Sequence, residues 1–289
     1  MSPYIQSLRP RTLPLSMSGI ILGTGLAWST YPQSPERKGV WVFILAILTT
    51  LSLQILSNLS NELGDAQKGT DKSQQSRAIY GLQAGTITEK QIKGMIGLFM
   101  ILCIVFGTAL IYCAFGMFFC AQSMVFFVLG ALAIAGAMAY TLGRHSYGYI
   151  GLGDLGVFMF FGLLSTLGGY YLQVQTLSTE IWVCGTAIGL PCVGVLNLNN
   201  IRDMDNDRTH GKHTFASMLG QQGSKIYHTC LLAGCLLLFA AFGHWWTWMV
   251  APLWVWHIWY IFHNEGSRLD LQMPVLMFST LIVACVGWL

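Results

Sequence analysis

Residues 40–71, VWVFILAILTTLSLQILSNLSNELGDAQKGTD, run from an almost wholly apolar segment into three carboxylates, Glu62, Asp65 and Asp71. About 20 apolar residues suffice to cross a bilayer as a helix. The helix is favoured there because every backbone polar group must be satisfied inside the segment. Acids placed against such a run are costly, and they mark function by default. The stretch therefore poses two questions: how many such spans the chain holds, and what its acids bind.

Composition answers the first. Of 289 residues, 54% are hydrophobic and 9% charged, with a mean hydropathy of +0.57. A soluble domain carries about 25% charged residues. An alternating-strand barrel shows far less continuous hydropathy. The chain is expected to be an all-α polytopic membrane protein of about nine spans, near 13–31, 40–61, 93–113, 118–140, 153–173, 180–200, 224–242, 245–262 and 272–288. Residues 1–289 are expected to form a single membrane domain. The opening MSPYIQSLRPRTLP lacks an apolar core before a small-residue cleavage site, so no cleavable signal peptide is expected. A formal charge of +3 is too small to argue for a nucleic-acid partner. The eight cysteines lie in or beside apolar segments without a CxxC pair, and read as small buried hydrophobes.

Charge sets the orientation. With an N-terminus inside, thirteen Lys and Arg fall on one side and only Arg37 and Lys38 on the other. This bias makes the richer side cytoplasmic. Two longer connections, roughly 62–92 and 201–223, gather the polar residues on that side.

Asn61 and Asp65 stand four apart and share a face if the second span continues that far. Asp71 is out of phase, and Gly64 and Gly69 are expected to turn the chain and bring it back. In NLNNIRDMDNDRTHGKHT, residues 197–214, Asn199, Asp203 and Asp207 also repeat every four residues, while Asp205 points elsewhere. Both sites read Asn-x-x-x-Asp with a further Asp, at corresponding ends of two spans, which suggests an internal duplication. Clustered carboxylates repel and need a cation between them. Mg²⁺ suits them, since it takes one or two carboxylates and leaves its other positions to water and phosphate oxygens. Two or more such ions between the acidic faces would clamp a diphosphate. Lys72, Arg77, Arg202, Arg208 and Lys212 lie in the same loops and are candidates to neutralise phosphate oxygens. The competing view of each motif alone is a solvated helix end with capping acids; the matched pair favours the site.

The paired motifs resemble those of the UbiA-type intramembrane prenyltransferases, most closely the branch that prenylates 1,4-dihydroxy-2-naphthoate. The resemblance rests on RPRTLPLSMSGIILGTGLA at 9–27, NELGDAQKGTD at 61–71, YGYIGLGDLGVFMFFGLLSTLGGYYLQ at 147–173 and NLNNIRDMDNDRTHGKHTFASMLG at 197–220. Glu62 stands where the family often has Asp. The resemblance implies a helical bundle around a central cavity and two Asp-rich loops binding Mg²⁺ and a polyprenyl diphosphate. It places Asn61, Asp65 and Asp71 in a first metal site and Asn199, Asp203 and Asp207 in a second, with Arg202 and Lys212 near the diphosphate. The implied reaction joins the polyprenyl group to a naphthoate acceptor with loss of CO₂ and diphosphate, giving demethylmenaquinone, in the inner membrane and in contact with its lipid.

Remaining candidates have open roles. Phe158, Phe160, Phe161, Tyr170 and Tyr171 are chiefly packing or lipid contacts, with one or two rings available to a carbocation. Tyr140 and Tyr149 are candidate acceptor contacts or interfacial anchors. Asp154 caps a helix or joins the site. Arg144 is a candidate substrate contact, beside His145, where the family commonly has a Gly-Pro-like turn. Alternatives to the naphthoate reading are another acceptor (4-hydroxybenzoate, homogentisate or a porphyrin) or a cation-coupled transporter. Transporters hold such acids near the bilayer midplane, whereas here they sit at span ends beside bases.

Overall fold

A computed structural model describes residues 2–32, 39–69, 80–144 and 146–289. Asp71, Lys72, Arg77 and His145 therefore lie outside the described residues. Among those described, the chain is helical throughout, with one isolated backbone bridge between Ile150 and His213. After a short α1 (Pro3–Ser7) come α2 (Leu13–Thr30), α3 (Val40–Lys68), α4 (Glu89–Phe115) and α5 (Ala121–Ala139). A composite span follows: α6 (Gly153–Val157), a π-helical segment Phe158–Leu164, and α7 (Ser165–Val174). Then come α8 (Thr179–Thr209), α9 (Phe215–Ala241), α10 (Ala251–His263) and α11 (Gln272–Val286).

A helical segment thus stands at each of the nine expected positions. Seven are long and apolar enough to cross a membrane. Two fall short: α2, diluted by Ser and Gly, and α10, which has 13 residues. The protein is an integral membrane protein by this architecture. Large apolar side chains along α5, such as Val125, Val128 and Leu132, are exposed on its outside, as a lipid-facing helix requires.

Two expectations are corrected. The connection at 201–223 is not a long loop, because α8 continues to Thr209 and α9 begins at Phe215. Thr214 caps α9 through a reciprocal pair with Ser217, which satisfies the free N–H groups of the first turn. Gly64 does not turn the chain. α3 runs through it and ends at Gly69, whose φ of 76° is the left-handed geometry that glycine supplies at helix ends. The extra helical turns carry Asn61, Asp65 and Lys68 on rigid backbone instead of on a loop.

The most extensive packing joins α8 to α9, α3 to α4 and α2 to α7. In lipid, helices associate by close packing of small residues more than by hydrophobic driving force. At the α2–α7 crossing, a Cβ on Gly23 would lie 2.1 Å from the Thr166 carbonyl oxygen. A backbone oxygen cannot give way cheaply. Gly23→Leu is therefore expected to cost at least the ~1–3 kcal/mol of typical overpacking, read as a lowered melting temperature of the detergent-solubilised protein.

Candidate active site

A cavity of about 370 Å³ opens among α2, α3, α5, the π segment and α8. One part is apolar, bordered by Ile20, Ala46, Leu110, Phe126, Phe161 and Leu172. Another part is polar, and Asn61, Asp65, Asn199, Asp203, Arg202 and Lys212 line it. The π segment supplies Phe160 and Phe161 to the wall. Such local widening of a helix is frequent at functional sites. Phe158 instead packs against Gly189, Tyr170 is buried, and Tyr171 stacks on Phe126 at 5.9 Å.

The first motif is held from the 140–149 connection. Thr141 Oγ1 donates to Asn61 Oδ1 at 2.8 Å, and the Tyr149 hydroxyl donates to Asp65 Oδ1 at 2.9 Å. Lys68, one turn beyond Asp65, donates to the Thr141 carbonyl at 2.8 Å and to the Ser146 hydroxyl. Its ammonium also lies 3.7 Å from the centre of the Tyr149 ring, within cation–π range. The close fit at Gly64, whose Cβ would meet the Thr141 carbonyl oxygen at 2.8 Å, lets this connection settle on α3.

The second motif shares one face of α8, where Asp203 and Asp207 are buried and Asp205 is exposed, as the four-residue spacing predicts. Asn199 Nδ2 donates to the Val195 carbonyl at 3.1 Å. Lys212 Nζ reaches the two Asp207 oxygens at 3.3 and 3.1 Å. The two connections are stitched together: His213 N–H donates to the Tyr149 carbonyl at 3.0 Å. That bond brings Lys212 within 5.7 Å of the Tyr149 ring centre. Burial would lower the Lys212 pKa, but Asp207, Asp65 and Asp203 outweigh it and hold it above its ordinary value. One ammonium thus answers acids from both motifs. The two faces that the sequence pairs are neighbours in space.

The donor set suits a hard cation. Amide and carboxylate oxygens from both faces border one space, and the buried Asp207 carboxylate is met by the Lys212 ammonium at 3.1 Å. No three His, Cys, Asp or Glu side chains among the described residues gather closely enough to hold a metal unaided. A bound diphosphate would complete the shell, since Mg²⁺ keeps several positions for water and phosphate oxygens.

Other candidates lie apart. Arg208 is exposed and donates to the Ser217 carbonyl at 3.0 Å. Asp154 accepts from the Tyr227 hydroxyl at 3.1 Å. Arg144 is exposed and away from the cavity wall. Tyr140 does line the cavity, its ring edge-on to Tyr147 at 5.2 Å. Burial pushes the Tyr147 hydroxyl up to about 12. Glu62 takes no part: it is fully buried and accepts from Ser7 and the Leu82 N–H at 3.2 and 2.7 Å, anchoring α1.

Three residues escaped the sequence reading. Arg9 has left-handed backbone, φ 51°, and borders the cavity with its guanidinium 4.2 Å over the Tyr80 ring. Its Nε and Nη2 are buried without a hydrogen-bond partner among the described residues. Gln54 donates to Thr12 and Asn58 at 3.2 and 3.1 Å, while its Oε1 is buried and unmatched there. Its place seven residues before Asn61, two helical turns along one face of α3, was a usable signal. Asp270 accepts from Arg202 Nη1 at 2.6 Å; nothing in its local sequence indicates this.

Together these features define an integral-membrane helical protein with an acidic, lysine-balanced site at one end of an apolar cavity. Residues 16–282 match the model of the UbiA prenyltransferase family, and the chain belongs to that family. It is 42% identical over 253 residues to the 1,4-dihydroxy-2-naphthoate octaprenyltransferase of Escherichia coli (strain K12), covering 88% of this chain and 79% of that one. The Haemophilus influenzae protein of the same name is 39% identical, with 82% and 76% covered. Among solved structures, a UbiA homolog from Archaeoglobus fulgidus superposes with a TM-score of 0.66 at 14% identity, covering 99% and 97%. A UbiA homolog from that organism bound to DMAPP and Mg²⁺ gives 0.59 at 16%, covering 98% and 86%.

Removing the shared cation tests the site. Lys212→Met leaves clustered acids unbalanced. Its melting temperature is expected to fall in chelator and to recover more on adding MgCl₂ than the wild type's does. Equal recovery in both proteins would show that Lys212 does not neutralise the acids.

Proposed function

We propose that the protein transfers a polyprenyl group from its diphosphate to 1,4-dihydroxy-2-naphthoate, releasing diphosphate and CO₂ and forming demethylmenaquinone as its quinol. The observation that carries this reading is the meeting of two Asn/Asp helix faces and Lys212 at one end of an apolar cavity. The similarity to naphthoate octaprenyltransferases supports the acceptor, and the DMAPP and Mg²⁺ bound by the A. fulgidus homolog support the metal and the donor class. Residues 1–289 act as one unit in the bacterial inner membrane, with the site opening to the cytoplasm on the lysine- and arginine-rich side.

The polar wall takes the diphosphate, and the apolar wall takes the first isoprene units of the tail. Asn61, Asp65, Asp71, Asn199, Asp203 and Asp207 would hold Mg²⁺ as two or more ions, with Lys72 and Arg77 as further diphosphate contacts; the metal would supply a Lewis acid for the leaving oxygens.

 Lys212 and Lys68 stand ready to take charge from the diphosphate as the allylic C–O bond breaks and its electron pair leaves with oxygen. Phe160, Phe161 and Tyr140 line the space where the allylic cation forms, and they exclude water that would quench it. The ring carbon that bears the carboxylate then forms the new C–C bond, and the carboxylate leaves that carbon as CO₂, its bonding pair restoring the aromatic ring.

Arg9 and Gln54 suit the acceptor. The free Nε and Nη2 edge of Arg9 matches a carboxylate, and Gln54 Oε1 would accept from a ring hydroxyl. Both groups are buried without partners among the described residues, which is costly until a ligand supplies them. The two tyrosines of the 140–149 connection divide their work: Tyr149 orients Asp65, and Tyr140 borders the reacting space.

The decisive experiment offers the purified protein a polyprenyl diphosphate with naphthoate, 4-hydroxybenzoate or homogentisate. Naphthoate is expected to be prenylated in a Mg²⁺-dependent way; turnover of another acceptor alone would refute the assignment. Asp65→Asn and Asp203→Asn are each expected to abolish diphosphate release. Arg9→Ala is expected to raise the acceptor KM on the order of 10- to 100-fold, the range for a lost charge-assisted hydrogen bond, with the donor KM little changed. Cation-driven uptake into vesicles without transferase turnover would instead mark a transporter.

A further inference from the structure

Arg202 carries the most heavily engaged guanidinium of the site, and its second anionic partner has no role in the reading above. Its Nε and Nη2 donate to the two oxygens of Asp203 at 2.8 and 2.7 Å, while Nη1 donates to Asp270 Oδ1 at 2.6 Å. The Arg202 side chain is 4% exposed, that of Asp203 9% and that of Asp270 25%. Asp270 sits in the helical turn Gly266–Leu271 before α11, and its other oxygen meets Arg11 Nη1 at 3.4 Å. Four charges of alternating sign therefore run from the start of α2, across the α11 entry, to the acidic face of α8.

The order of charges decides what Asp203 can do. A guanidinium paired bidentately with Asp203 alone would make a neutral unit and cancel much of that acid's attraction for a cation. Asp270 draws on the same guanidinium, so the group Asp203–Arg202–Asp270 keeps a net negative charge. The planar fork also fixes geometry: with its third nitrogen tied to Asp270, it cannot swing from Asp203 towards incoming phosphate. Arg11, half exposed, adds little beside these buried contacts.

We propose that Asp270 is a positioning residue, which holds Arg202 so that Asp203 remains an oriented and negatively charged ligand for the metal–diphosphate. This rests on the proposed Mg²⁺-dependent binding of a polyprenyl diphosphate. The sequence distance between the two acids hides the pairing; only the approach of the α11 entry to α8 creates it.

The test measures binding rather than turnover. Full-length protein in nanodiscs is titrated with Mg²⁺ in the presence of a non-ionisable polyprenyl thiolodiphosphate, and the Mg²⁺ half-saturation is read from bound ligand. Asp270→Asn is expected to raise it about 10-fold or more, as loss of an outer-shell partner of a metal ligand does. Asp270→Glu, which restores the charge, recovers most of that loss. In an Arg202→Met background, Asp270→Asn adds no further shift, because its effect passes through Arg202. Should Asp270→Asn fail to fold, Asp270→Ser removes the same charge and carries the same expectation. An unchanged half-saturation in the neutral variant, alongside lower thermal stability, overturns the proposal and leaves Asp270 a structural tie. Wild-type ligand binding that ignores Mg²⁺ sinks the proposed function itself, whereas Mg²⁺-dependent wild-type binding with an unshifted neutral variant sinks only the role of Asp270.

Discussion

The structure turns on one electrostatic constraint: carboxylates gathered at the end of an apolar cavity must be balanced by a cation. Lys212 meets that need from a short connection between α8 and α9, within reach of Asp65, Asp203 and Asp207. Charges this far from bulk water interact strongly, and an unpaired one is expensive. The ammonium therefore draws the α3 and α8 faces towards one point.

That balance depends on how the surrounding backbone is held. Gly64 lets the 140–149 connection lie against α3, Thr141 and Tyr149 hold Asn61 and Asp65, and the His213–Tyr149 bond locks the connection to the one bearing Lys212. Arg202 is gripped between Asp203 and Asp270. Asp65, Asp203 and Asp207 are thus fixed on α3 and α8, while Lys212 arrives from the connection between α8 and α9.

Much of this was legible in the residues. Long apolar runs announce membrane helices because hydrocarbon leaves the backbone no other way to satisfy its polar groups. The four-residue spacing of Asn199, Asp203 and Asp207 announces a shared helix face, and α8 bears it out in the burial of Asp203 and Asp207 against the exposure of Asp205. The turn expected at Gly64 does not form, because glycine there serves close packing within α3. The loop expected at 201–223 is largely helix because Thr214 supplies a cap that makes a short connection sufficient.

By itself, the sequence determined the helical membrane architecture, the two Asn/Asp motifs and the family, since each depends on composition or on spacing within one segment. Tertiary structure decided which charges meet. Lys212 could be placed near Asp207 from sequence, but its reach to Asp65 follows from the pairing of two connections. Arg9 and Gln54 become notable only through buried side-chain atoms without a hydrogen-bond partner among the described residues, and Asp270 only as the second anion on Arg202. Burial and long-range pairing are properties of the packed chain; no local pattern encodes them.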